Sequence, residues 1–261
     1  MKNLLALLTA LTLLLTMTTA LADEDLLTDI QSRGNVVIAT EGAWSPWTYH
    51  DEADALVGFD VEVARAIAEK LGVEARFEEC PWESIFLGID AKMYDIAANG
   101  VEITEDRAAK YDFSAPYAYL RTALIVRGDN EEIKTFEDLS GKRTANSAGS
   151  TYALMAEEYG ATTDTVSTLA QTLELVISGR ADATLNAELS FYDYMKEHPD
   201  ANLKIVALSE EASQVAIPVR KGDENASFLA ALNDAIEALR ADGTLKAISE
   251  KYFETDITAK D

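Results

Sequence analysis

The chain has one cysteine, two histidines, five prolines and only 22 lysines and arginines among its 261 residues. A single cysteine, Cys80, excludes an internal disulfide. It closes an amphipathic run at 75–80 with no histidine near it in sequence, which fits a packed free thiol better than a nucleophile. His50 and His198 each lack a second His or Cys at ligand spacing, so no metal site is expected. The scarce basic residues face 46 acidic ones, for a formal net charge of −24. That balance excludes nucleic acid and anionic membrane as natural partners and favours a soluble protein. No internal repeat or low-complexity linker is visible, and no membrane span or signalling domain follows Phe253.

What is present begins with a leader. Lys2 gives a positive start, 4–18 an apolar run, and Ala20-Leu21-Ala22 a small-residue cleavage pattern ahead of Asp23. Threonines interrupt the apolar run and no stop-transfer flank follows, so residues 1–22 are expected to be a cleaved signal peptide and not an anchor. No cysteine follows the run, which removes lipid attachment. Cleavage after Ala22 leaves 239 residues of a periplasmic protein, enough for one large domain or two lobes of ordinary size.

The rest alternates short apolar strands with amphipathic helices. Helices are expected over 23–33, 58–71, 84–92, 104–110, 151–159, 168–178, 190–197 and 226–240, with a last one running to about 253. Strands are expected over 36–40, 73–80, 96–98, 122–126, 144–146, 183–185, 203–208 and 215–219. Strand–helix alternation of this kind argues a parallel α/β sheet, whose ligand sites lie in loops at the carboxyl ends of strands. Two such loops carry tryptophan, 41–47 and the one at Trp82. Trp44 is expected to form a stacking wall, and Trp47, beside Pro46, to pack inward.

The most informative stretch is 95–107, DIAANGVEITEDR. It combines a short strand, a turn at Asn99-Gly100 and a helix start with Thr104 as N-cap and Glu105 and Asp106 in the first turn. Arg107 stands there beside free backbone N–H groups, a donor arrangement suited to a carboxylate. Glu102 can face the same spot with the opposite charge, and the pair suits a zwitterion. The alternative is a surface ion pair between the two. A second strand-to-helix turn, Ser147-Ala148-Gly149-Ser150-Thr151-Tyr152, allows close backbone approach and has Ser150 as a cap. It is either another anion seat or an ordinary capped turn.

From GFDVEVARAIA at 58–68 onward the chain resembles the bacterial extracellular solute-binding proteins of family 3, the polar-amino-acid receptors of ABC importers. Further blocks match in the family's order: ITEDR at 103–107, YDFSAPY at 111–117, LSGK at 139–142 and ADGTL at 241–245. The segments 146–160 and 179–188 look closest to the cystine-binding branch. The resemblance implies a two-lobed α/β, periplasmic-binding-protein-like (type II) fold, with a ligand cleft between lobes and two crossover strands. Crossings are expected at 119–122 and 212–217, with lobe 1 formed by 23–120 and 216–261 and lobe 2 by 121–215. It also implies a monomer that binds a polar L-amino acid, cystine-type first and basic second, and delivers it to an ABC permease and its ATPase.

Family roles carry over position by position. Arg107 matches the arginine that holds the α-carboxylate, aided by backbone N–H groups at Glu102 and Thr151. Asn99 and Gly100 match strand-end positions near the α-ammonium, and Glu41, Trp44 and Trp82 match the side-chain pocket. Ser150, Thr151 and Asn186 belong to the opposite wall. Two departures stand out: Glu102 where Ser or Thr is usual, and Ala187 where an aspartate usually meets the α-ammonium. Read together, they suggest that Glu102 supplies the carboxylate that Ala187 cannot. No cofactor and no catalytic residue is expected. A cyclohexadienyl or arogenate dehydratase-like enzyme on this scaffold would need Glu41 or Glu102 as a general acid or base, with no cleft histidine and no nucleophile–base pair to help. A sensory ligand-binding module is the remaining alternative. Expressed with its leader in an exporting bacterium, the chain should appear outside the cytoplasm with Asp23 as its first residue. Amino-terminal sequencing or intact mass checks this.

Overall fold

A computed structural model describes residues 25–260. The leader and its cleavage site lie outside the described residues. Asp25 starts helix α1 (Leu26–Arg33) by accepting the Thr28 N–H at 3.0 Å. Strand β1 (Asn35–Thr40) follows, then a small antiparallel sheet of β2 (Ala43–Trp44), β3 (Thr48–His50) and β4 (Leu56–Val57). Helix α2 (Phe59–Leu71) leads to β5 (Glu74–Glu79), α3 (Trp82–Asp90), β6 (Ile96–Ala97) and α4 (Glu105–Lys110). In the first sheet, of order β5-β1-β6, β1 is central and pairs parallel with both neighbours. Trp82, expected in a loop, is instead the first residue of α3, with Pro81 as its N-cap. Proline at a helix entrance loses no needed N–H.

The chain continues through β7 (Tyr111–Phe113) and β8 (Ala118–Leu120) into β9 (Thr122–Arg127), and then by way of a 3-10 turn at Phe136–Leu139 to β10 (Arg143–Asn146). Helix α5 (Thr151–Glu158), β11 (Thr162–Thr165), α6 (Leu169–Ile177), β12 (Ala183–Ala187), α7 (Glu188–Glu197) and β13 (Leu203–Leu208) complete the second sheet region. Its order is β11-β10-β12-β9-β13. Strands β10, β11 and β12 are parallel, but β9 runs antiparallel to both β12 and β13. The expected parallel arrangement holds for the first sheet, while the second is mixed, because β9 runs against both β12 and β13.

The return passes through β14 (Ser213–Val215) and β15 (Pro218–Arg220), then α8 (Ala226–Ala241) and α9 (Thr244–Phe253). The single strand expected over 215–219 is two. Strand β14 pairs with β8 and β15 with β7, while between them Ala216 donates to Val101 O and Ile217 to Ser114 Oγ. Those diverted N–H groups break the ladder where the second crossing passes. Helix α2 packs on α8, α9 and β5, and the apolar cluster they share contains Trp47, Phe59, Phe228 and Phe253.

One polar group sits in that core. Asp60, in the first turn of α2, is fully buried. Its Oδ1 accepts the Tyr117 hydroxyl at 2.8 Å, and its Oδ2 accepts the Gly100 N–H. Gly100 has φ 56°, a left-handed conformation, and a Cβ there would lie 2.4 Å from the Trp44 ring. Glycine is therefore the residue this turn can hold. Burial pushes the Asp60 carboxyl up to about 7, against the two hydrogen bonds that favour its charge.

Two stability effects are expected. Phe59→Ala should cost about 3–5 kcal/mol in urea unfolding, because the ring is fully buried between Trp47, Tyr117 and Phe253. For Asp60 the folded pKa lies above the unfolded one, so between about pH 4 and pH 7 the folded state binds the extra proton and stability falls as pH rises. Asp60→Asn should lack that component of the profile, which urea titrations at several pH values would show by difference.

Candidate functional site

The turns at the carboxyl ends of β1 and β6 face those after β10 and β12, and a cavity lies between them. It encloses about 50 Å³. One water needs roughly 10–15 Å³ on such a measure, so this is room for a few waters. From the first lobe Glu41, Trp44, Trp82, Asn99, Gly100 and Glu102 line it. From the second come Ser150, Thr151 and Asn186. The fold thus brings together all the residues singled out from sequence except Arg107, which lies behind this lining.

Arg107 is held on every side. Thr104 caps α4 as expected, its Oγ1 accepting the Arg107 N–H at 3.2 Å. The guanidinium lies over the rings of Trp82 and Phe86, 5.1 and 5.3 Å from their centres. Its Nη1 donates to Glu102 O at 3.0 Å, and its Nη2 reaches Gly149 O at 3.4 Å, across the cleft. Burial lowers its pKa, while the Glu102 charge opposes that shift. Such a stacked cation is desolvated and fixed in direction.

Asn99 organises the first-lobe wall. Its Oδ1 accepts the Glu41 N–H at 2.8 Å, and its Nδ2 donates to Glu41 Oε2 at 2.7 Å. Burial raises the Glu41 pKa and the nearby Glu83 charge adds to it, while the Asn99 hydrogen bond works the other way. Trp44 stacks on Trp47 with ring centres 5.2 Å apart. Trp47 is fully buried and Trp44 lines the cavity. The Trp44 Nε1–H donates to Asn186 Oδ1 at 3.0 Å, so this wall also touches the other lobe.

Further polar contacts close the cleft. Thr151 Oγ1 donates to Glu102 Oε1, Ser45 Oγ donates to Asp193 Oδ2 at 2.7 Å, and Lys196 meets Glu254 at 2.8 Å. Glu102 itself is 5% exposed and forms a lone β-bridge with Val215 on the crossing strand. Ala187 is buried at the end of β12, where its methyl brings no charge.

Sequence reading missed six of the lining residues: Ala43, Ser147, Tyr152, Ser167, Thr168 and Leu169. Ala43, Ser147 and Tyr152 fall inside stretches already marked as loops and lacked only a chemical reason for selection. Ser167, Thr168 and Leu169 were beyond reach, because they open α6 directly after β11, whose sequence TTDT carries no apolar signal. Asp60 was seen only as part of a motif. Among the described residues no cluster of His, Cys, Asp or Glu could hold a metal ion, and no helix is long and apolar enough to cross a membrane.

Comparison with known proteins fits this geometry. Residues 36–255 match the family model described as bacterial extracellular solute-binding proteins, family 3. A probable amino-acid ABC transporter-binding protein of Haemophilus influenzae is 39% identical over 229 residues, covering 88% of each chain. The L-cystine-binding protein TcyA of Bacillus subtilis is 37% identical over 237 residues, 90% of this chain and 87% of that one. Among solved structures, the L-cystine solute receptor of Neisseria gonorrhoeae in its unliganded open conformation is 41% identical. It has a TM-score of 0.60, over 90% of this chain and 99% of that one. An ancestral arginine-binding protein bound to arginine is 34% identical with a TM-score of 0.79, over 85% of this chain and 99% of that one. The more similar sequence is the less similar structure, as expected when one cleft is open and the other closed by the contacts above. The chain is a two-lobed α/β protein and belongs to the bacterial extracellular solute-binding proteins, family 3.

Proposed function

We propose that this protein is the substrate-binding component of an amino-acid ABC importer, which holds a polar L-amino acid in its interlobe cleft and presents it to the membrane permease. The observation that carries the reading is Arg107: a buried, ring-stacked guanidinium just behind the lining of a cavity whose charged groups, Glu41 and Glu102, are carboxylates. The long contact from Nη2 to Gly149 O is one that a ligand carboxylate would replace with a two-point pair. The backbone N–H groups of Glu102 and Thr151 would assist. The ammonium would go to Glu102, because position 187 offers no charge. Both carboxylates together favour a ligand with a second amine, which supports L-cystine first and a basic amino acid second, in line with the names of the relatives above.

The working cycle is one of closure. Lobe 1 is taken as 23–120 with 216–261 and lobe 2 as 121–215, hinged at the two crossings. Ligand would meet the Arg107 wall first and gain contacts from Thr151 and Asn186 only when the lobes close, shifting the equilibrium by its differential affinity. Export with cleavage after Ala22 would place the protein, a monomer, in the periplasm beside its permease and ATPase. The family and the named relatives are binding proteins, which supports binding as the work of the cleft.

A thermal-shift screen of the common amino acids and L-cystine should raise the melting midpoint with L-cystine or a basic amino acid. Arg107→Ala should weaken every amino acid so found by at least a hundredfold, since removing one member of a buried charge pair costs about 3–5 kcal/mol. Retained affinity in calorimetry would remove the carboxylate assignment. Glu102→Gln should lose at least about tenfold, in keeping with one charged hydrogen bond. Wild-type affinity there would remove the ammonium assignment.

A further inference from the structure

Tyr152 was not among the residues expected to bind, and its surroundings are unusual. It is the second residue of α5, directly after Thr151, and only 8% exposed. Its side chain lines the cleft cavity. Its hydroxyl is buried and has no hydrogen-bond partner among the described residues. Buried hydroxyls are ordinarily paired, and one left open beside a cavity points to a partner that arrives from outside.

The neighbours define what that partner is. The charges nearest the phenol are Glu102, Arg107 and Glu41. The Ala187 N–H approaches the phenol oxygen and favours its charged form, but its hydrogen bond, at 2.9 Å, goes to Asn186 Oδ1. Tyr152 and Ala187 belong to the same buried apolar cluster. Burial holds the phenol proton on well above the ordinary range, so the group is a neutral hydroxyl, able to accept from a cation and donate to a carboxylate at once.

We infer that Tyr152 is a ligand-contacting residue, whose hydroxyl oxygen accepts from the α-ammonium of the bound amino acid and, with Glu102, replaces the carboxylate missing at Ala187. This rests on the amino-acid-binding reading of the cleft and adds a specificity-determining group to it. A neutral acceptor beside one carboxylate holds an ammonium without adding a third negative charge to a cleft that already has Glu41 and Glu102.

Calorimetry on wild type and Tyr152→Phe with L-cystine and L-arginine tests the inference, alongside their counterparts without the α-amino group, dithiodipropionate and guanidinovalerate. Tyr152→Phe should weaken whichever amino acid binds by about tenfold. The same substitution should leave the affinity for the deaminated counterpart unchanged. The ligand-free melting midpoint should hold or rise, because the variant removes an unpartnered buried hydroxyl and keeps the ring. Equal affinity of wild type and variant for the amino acid would overturn the inference and leave the Arg107 reading intact. An equal loss with the deaminated compound would also overturn it, by placing the contact elsewhere on the ligand. Failure of wild type to bind either amino acid would bring down both readings together.

Discussion

The cleft depends on one buried carboxylate. Asp60 holds the Gly100 N–H with one oxygen and the Tyr117 hydroxyl with the other, from inside a core of aromatic rings. Gly100 in its left-handed turn lets the Trp44 ring lie close, and Trp44 in turn reaches Asn186 in the other lobe. Tyr117 donates its backbone N–H to Val215 O on the crossing strand. A single side chain therefore links the turn at Gly100, the Trp44 wall and strand β14. The site at the start of α2 suits it, because the helix dipole favours negative charge there and offsets part of the desolvation.

Around that anchor the cleft balances charge sparingly. Arg107 is the cation, desolvated against two aromatic rings, and its hydrogen bonds go to carbonyls. Glu41 is fixed in place, its oxygen held by the amide of Asn99. Glu102 is tied across the cleft by Thr151. Two lobes closed on such groups are joined by polar bonds that water would readily replace, so closure is reversible in a way that an apolar seam would not be.

Much of this was legible in the sequence, for reasons that can be named. The stretch 95–107 combines cap, turn and charged pair within thirteen residues, and local chemistry alone places Thr104 over the Arg107 N–H as found. Trp47 against Pro46 and Trp44 toward the cleft follow from the loop's composition. Longer-range facts were not legible. The antiparallel course of β9 depends on where the chain enters the second sheet, which no local pattern records. The division into β14 and β15 depends on Val101 and Ser114, about a hundred residues away, capturing two N–H groups. Arg107 appeared from sequence as an anchor for the α-carboxylate, and only the fold shows that two rings and two carbonyls hold it just behind the lining.

The Trp44–Asn186 and Ser45–Asp193 bonds bear on rates as well as affinity. They close over a space of about 50 Å³, which passes a few waters and nothing as large as an amino acid. An amino acid bound there would enter and leave only while those bonds are broken, so their opening would limit both capture and release. The Lys196–Glu254 ion pair adds to those bonds, so the two faces part only when several polar contacts break together.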